Sequence, residues 1–87
     1  MEKRISVPVI NMIATGKNIE QLRKQNRMSV KELQEIFGFT SPQAIYKWQW
    51  GDSLPDIQNL LLMSQMFHTP MENILVYDNQ DVYFLAA

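Results

Sequence analysis

Between Ser29 and Gly51 the chain reads SVKELQEIFGFTSPQAIYKWQWG, and no other stretch restricts the fold as strongly. Ser29 with Glu32 three residues on is a capping box, in which the hydroxyl accepts the Glu32 N–H and the carboxylate reaches back to the Ser29 N–H. It predicts a helix over residues 30–37, with Leu33, Ile36 and Phe37 as apolar contacts. Gly38 then supplies the left-handed residue that ends it. Ser41-Pro42 predicts a second start, serine as cap and proline at the first helical position, where the missing N–H had no partner anyway. That helix covers 41–50 and stops at Gly51. Only Gly38-Phe39-Thr40 separates the two helices, so the second must cross the first steeply instead of lying back along it. Ile45 and Trp48 share an inward face, while Gln43, Tyr46, Lys47 and Trp50 fall on the opposite one.

The flanking sequence extends the helical pattern. Thr15-Gly16 predicts the start of a helix over 16–25, with Ile19 and Leu22 on one face. Pro55 and Asp56 predict the start of a helix over 55–67. Thr69-Pro-Met-Glu72 reads as a second capping box, opening a short helix through about Leu75. At the N-terminus Ile5, Val7 and Val9 alternate with Arg4, Ser6 and Pro8, an edge-strand pattern. At the other end Val76-Tyr77 and Val82 to Leu85 flank Asp78-Asn-Gln-Asp81, which reads as a turn between two extended pieces. The expected fold is therefore all-α, five helices with short terminal β-strands. It divides into an N-terminal arm over 1–14, a helical domain over 15–75 and a C-terminal extension over 76–87. Leu60, Leu61, Leu62, Met63, Met66 and Phe67 surround most of the fourth helix, which calls for cover from the terminal segments or from a second copy.

Eighty-seven residues suffice for one core. The longest apolar run, Leu60 to Met63, is far too short to cross a bilayer, and the start of the chain lacks the apolar segment of a signal peptide. The absence of cysteine suits a reducing cytoplasm and excludes thiolate metal sites. No nucleophile–base pair or ligand cluster is gathered, so neither catalysis, metal nor cofactor is expected. His68 reads as structural, and the six methionines as pliable packing. The net charge of −1 hides an asymmetry: all eight Lys and Arg lie between Lys3 and Lys47, so residues 1–50 hold eight bases and four acids, whereas residues 51–87 hold five acids and no base. Such a chain would meet a polyanion in one orientation, its acidic C-terminal half left for a protein partner.

The outward face of the 41–50 helix has the chemistry to read bases. Gln43 can pair in bidentate fashion with adenine, Lys47 can reach guanine or a phosphate, and Ala44 can touch a thymine methyl. Thr40, Ser41 and the first N–H groups of the helix suit phosphate oxygens. Arg23, Lys24 and Arg27 form either a solvated face or phosphate contacts, with at least one expected on phosphate. Trp50 is either a stacking contact or a cover over its own helix.

From about Thr15 to Leu75 the sequence resembles the Cro and phage-repressor (XRE-like) helix-turn-helix family. The resemblance rests on Ile19, Leu22 and Arg23, on Ser29 with Glu32-Leu33, on the Gly38 turn and on Ile45-Tyr-Lys-Trp48. Gly51 and Ser53-Leu-Pro-Asp56-Ile57 continue it. It implies a five-helix Cro/repressor-like domain that binds double-stranded DNA as a homodimer and regulates transcription, for example as a repressor. It also implies Ser29 near a phosphate, with Pro42, Gln43 and Lys47 at positions that usually face bases; helical spacing puts Tyr46 on the same outward face. Against the usual pattern the turn before Ser41 is one residue longer, Gln34 stands where a small residue is usual, and Asp52 stands where a base is common. Two readings compete: an antitoxin that binds DNA and a toxin partner, and an interaction module in which the helix-turn-helix packs on protein.

Overall fold

The structure is a computed structural model and describes residues 1–86. Its elements run β1 (Glu2–Ile10), α1 (Met12–Gln25), α2 (Val30–Phe37), α3 (Gln43–Trp50), α4 (Ile57–Met66), α5 (Met71–Ile74) and β2 (Tyr77–Leu85). The five expected helices are present. All-α is too coarse a description, because β1 and β2 are nine residues each and pair along their whole length as an antiparallel ribbon. The expected turn at 78–81 does not form. Asp78, Asn79, Gln80 and Asp81 lie within β2, opposite Val9, Pro8, Val7 and Ser6. Each strand finds its partner at the far end of the chain, a pairing that no local pattern reveals.

The helices enclose one core of Ile19, Leu33, Ile45, Trp48, Leu60, Met63, Phe67 and Ile74. Helix α1 lies directly against α3 at Gly16: a Cβ there would meet the carbonyl oxygens of Trp48 and Gln49, the latter at 2.6 Å. Only a residue without a side chain permits that approach. Thr15 is not a cap. The cap of α1 is Asn11, whose side chain accepts the Ala14 N–H at 3.0 Å, so the helix begins inside what the sequence marks as the arm. Buried Thr15 instead clamps the start of the C-terminal strand segment: its hydroxyl accepts the Val76 N–H at 2.9 Å and donates to the Val76 carbonyl at 3.3 Å.

Other boundaries shift for identifiable reasons. Helix α4 is capped by Asp56, whose carboxylate accepts the Asn59 N–H, and Pro55 is buried ahead of it. The box at Thr69 does not form, because the Thr69 hydroxyl donates to the Phe67 carbonyl and α5 starts after Pro70 without a side-chain cap. Ile36 is exposed, so α2 contributes Leu33 and Phe37 to packing. The terminal strands pair with each other and leave Ile57 and Leu61 of α4 exposed. The ribbon also lengthens the molecule to 53 × 22 × 20 Å, with a radius of gyration of 15.9 Å. A compact chain of this length would have a radius of gyration of about 12 Å.

Candidate nucleic-acid interface

Helix α2 is bounded as expected. The Ser29 hydroxyl accepts the Glu32 N–H at 3.0 Å, the Glu32 carboxylate accepts the Ser29 N–H at 3.1 Å, and Gly38 takes φ 72° at the far end. The turn that follows is rigid. The Phe39 N–H donates to the Gln34 carbonyl at 3.0 Å, and the Gln34 side-chain amide donates back to the Phe39 carbonyl at 3.3 Å. Gln34 thus braces the turn it precedes, which a small residue could not do. Phe37 and Phe39 stack at 5.5 Å, and both meet the Trp48 ring edge-on at 5.3 and 5.8 Å. Such aromatic geometry adds roughly 0.5–1.5 kcal/mol per pair beyond burial. It fixes α3 to α2 through the side chain that also anchors α3 in the core.

Drawing Phe39 inward moves the helix start. Thr40, Ser41 and Pro42 form a bend with Thr40 and Ser41 exposed, α3 begins at Gln43, and Ser41 makes no cap hydrogen bond. Among the described residues, no side-chain or backbone acceptor takes the N–H groups of Gln43 and Ala44, and the first turn contains no acid. The N-terminus of α2 is the opposite case, with the Glu32 carboxylate already seated on it. An anion is therefore favoured at α3, where the dipole and open donors coincide, and opposed at α2 by Glu32. The Ser29 hydroxyl still has its own proton to donate.

Along α3 the inward residues are Ile45, Trp48 and Gln49, all buried, and Gly51 ends the helix at φ 79°. Gln43, Tyr46, Lys47 and Trp50 are exposed together on the other side, as their spacing predicts. Pro42 and Ala44 are half-buried, and Ala44 packs against the core, so its methyl is less available than the sequence suggests. Tyr46 and Trp50 stack at 5.7 Å, giving the outward face an aromatic plate that sequence spacing alone did not single out.

The basic residues divide into three roles. Arg23 points inward: Nε donates to the Gln49 side chain at 3.0 Å and Nη1 to the Met28 carbonyl at 2.9 Å. It joins the end of α1 to the last turn of α3, a role hidden from sequence because Gln49 lies between two conspicuous tryptophans. Lys24 pairs with Glu20 at 2.8 Å, and that hydrogen bond and charge hold the Glu20 carboxyl below its usual range. Arg27 is exposed and takes φ 56°, the left-handed residue that closes α1, with the Met28 N–H donating to the Arg23 carbonyl. His68 plays the same part after α4 at φ 51°.

The asymmetry of charge along the chain does not become two opposed surfaces. Lys3 and Arg4 lie in the ribbon with Asp78 and Asp81, Arg4 and Asp81 approaching to 3.8 Å. Residues 11–76 carry six bases and six acids. The expected acidic half is thus partly matched by the basic arm.

Among the described residues, no helix is long and apolar enough to cross a membrane. No curated protein gives a significant match to the chain. A helix-turn-helix family model matches residues 19–74, from the middle of α1 to the end of α5, leaving the ribbon outside the matched span. The match covers the braced turn, the uncapped helix and its exposed polar face, and with it the chain belongs to the Cro/C1-type helix-turn-helix family of DNA-binding proteins.

Proposed function

We propose that the protein is a sequence-specific transcriptional regulator that lays α3 in the major groove of double-stranded DNA and acts as a homodimer. The observation that carries this reading is the outward face of α3. Gln43, Tyr46 and Lys47 are exposed side by side, behind a helix start whose N–H groups are open. Thr40, Ser41 and the Gln43 and Ala44 N–H groups take phosphate oxygens, which set the register. Gln43 pairs with an adenine edge, and Lys47 takes a guanine or phosphate. Ser29 and Lys24 are secondary phosphate contacts, whereas Arg23 supports α3 from behind. Two copies would address half-sites about 34 Å apart.

The test is binding of labelled promoter-proximal duplex, followed by fluorescence anisotropy over a salt series. Affinity should fall steeply with salt. Gln43→Ala should lose roughly 1–3 kcal/mol of discrimination against a substituted site. Equal affinity for that duplex and a scrambled one would overturn sequence-specific reading. The exposed apolar ribbon favours a second reading, in which the protein is an antitoxin that binds DNA and also a toxin. A short toxin reading frame beside its own, and a stable complex of the two products, would select it.

A further inference from the structure

Opposite residues of an antiparallel ladder point to the same side, so the register sorts the ribbon into two unlike faces. One face is polar over its middle, where Arg4 meets Asp81, and carries Leu85 and Tyr83 toward the tip and Ile10 and Tyr77 at the base. The other pairs Ile5 with Val82, places Phe84 opposite Lys3, and continues along β1 through Val7 and Val9, which face Gln80 and Asp78 of β2. Its apolar side chains stand in solvent: Ile5 is 51% exposed, Val82 46%, Val9 42% and Phe84 41%. Two strands without a packed face are marginal at best in water, so this face requires cover.

Charge identifies the cover. The apolar row ends with Lys3 near the free tip of the ribbon and with Asp78, opposite Val9, near its base. Six residues of strand separate those positions, about 20 Å, too far for the two to meet within one chain. A second ribbon turned end for end solves both problems together. Its apolar row covers this one, and each Lys3 comes to lie at the same end of the sandwich as the partner's Asp78. The face is complementary to itself, as a two-fold interface must be.

We propose that this ribbon face is the interface with a second copy of the chain. The ribbons pack face to face and end for end, with Lys3 of each copy beside the partner's Asp78. The proposal rests on the reading of the protein as a homodimeric regulator and specifies how that dimer forms. It leaves α3 of each copy outside the interface.

Sedimentation velocity of the full chain at tens of micromolar, without DNA, tests it. The protein should sediment as a dimer, and Phe84→Asp should sediment as a monomer with its helical circular dichroism retained. Lys3→Asp and Asp78→Lys should each weaken the dimer about tenfold, and combining them should restore it, because coupled neighbours are not additive. Restoration can arise only between copies, since one chain holds the two residues too far apart. A monomeric parent protein would overturn the proposal and point to a different protein as the cover. A combined variant no better than either single one would overturn it as well. Anisotropy with a duplex containing one half-site tests α3 separately, so failure of the dimer and failure of DNA reading give different results.

Discussion

The helical body and the ribbon are built from the same apolar residue types and treat them in opposite ways. Ile19, Leu33, Ile45, Met63 and Ile74 are fully buried, while Ile5, Val9, Val82 and Leu85 of the ribbon are exposed. In the body each apolar stripe faces another, and the Gly16 contact lets α1 and α3 approach without a gap. In the ribbon each strand has one neighbour and one open edge, and its apolar side faces outward. The comparison teaches that periodicity states which side of an element is apolar. What stands opposite is decided by the rest of the chain, or by another chain.

The largest expected effect that sharpens this contrast is at the body's tightest contact. Gly16→Ala pushes a methyl into two carbonyl oxygens and should cost about 3 kcal/mol of unfolding free energy in urea, the upper range for overpacking. A loss below about 1 kcal/mol would mean that α1 can slide over α3, and the body would be looser than its burial implies.

Thr15→Val tests the seam between the regions. It leaves the Val76 N–H without its acceptor, while the Val76 carbonyl keeps the Asn11 N–H at 2.8 Å, and should cost roughly 0.5–1.5 kcal/mol, the net worth of one hydrogen bond. Hydrogen exchange should accelerate first at Val76 and in β2, before the core of α3. Simultaneous acceleration everywhere would show that ribbon and body unfold as one unit.

Arg27→Gly should raise stability by up to about 1 kcal/mol, because glycine adopts positive φ without steric cost. The same change removes an exposed cation beside Ser29, so affinity for DNA should fall and its salt dependence become shallower. An affinity that is unchanged would assign Arg27 to the helix terminus alone.

The smallest effect is at Glu20. Its carboxyl is held low by the hydrogen bond and charge of Lys24. Ionisation therefore stabilises the folded body above the ordinary glutamate range, and that contribution fades as pH falls through the lowered folded value. Glu20→Gln should remove this part of the acid dependence and leave the unfolding midpoint at neutral pH nearly unchanged, since exposed pairs contribute little. A large shift at neutral pH would show that the end of α1 is less solvated than it looks.

Legibility in the sequence followed the range of each interaction. The Ser29–Glu32 box, Gly38, Gly51 and the inward placement of Ile45 and Trp48 all depend on residues within one or two turns, and all are present. The exposed Gln43–Tyr46–Lys47 face follows from the same helical spacing. Ser41 looked like a cap because serine before proline commonly is one. The pull of Phe39 into the Phe37–Trp48 cluster, which delays α3, is a tertiary effect. Arg23 looked like a surface cation because its acceptor Gln49 is 26 positions away. Asp78 to Asp81 are turn-forming residues by type, and their place in a strand depends on β1 at the opposite end of the sequence.

The placement of the two tryptophans also gives the molecule a built-in optical readout. Trp48 is 5% exposed among phenyl rings, and Trp50 is 64% exposed on the outward side of α3. The first should emit at short wavelength until the core opens, and the second at long wavelength until something excludes water from that face. One emission spectrum of the unlabelled protein would then contain two separable signals, blue emission for the state of the core and red emission for the occupancy of the α3 surface.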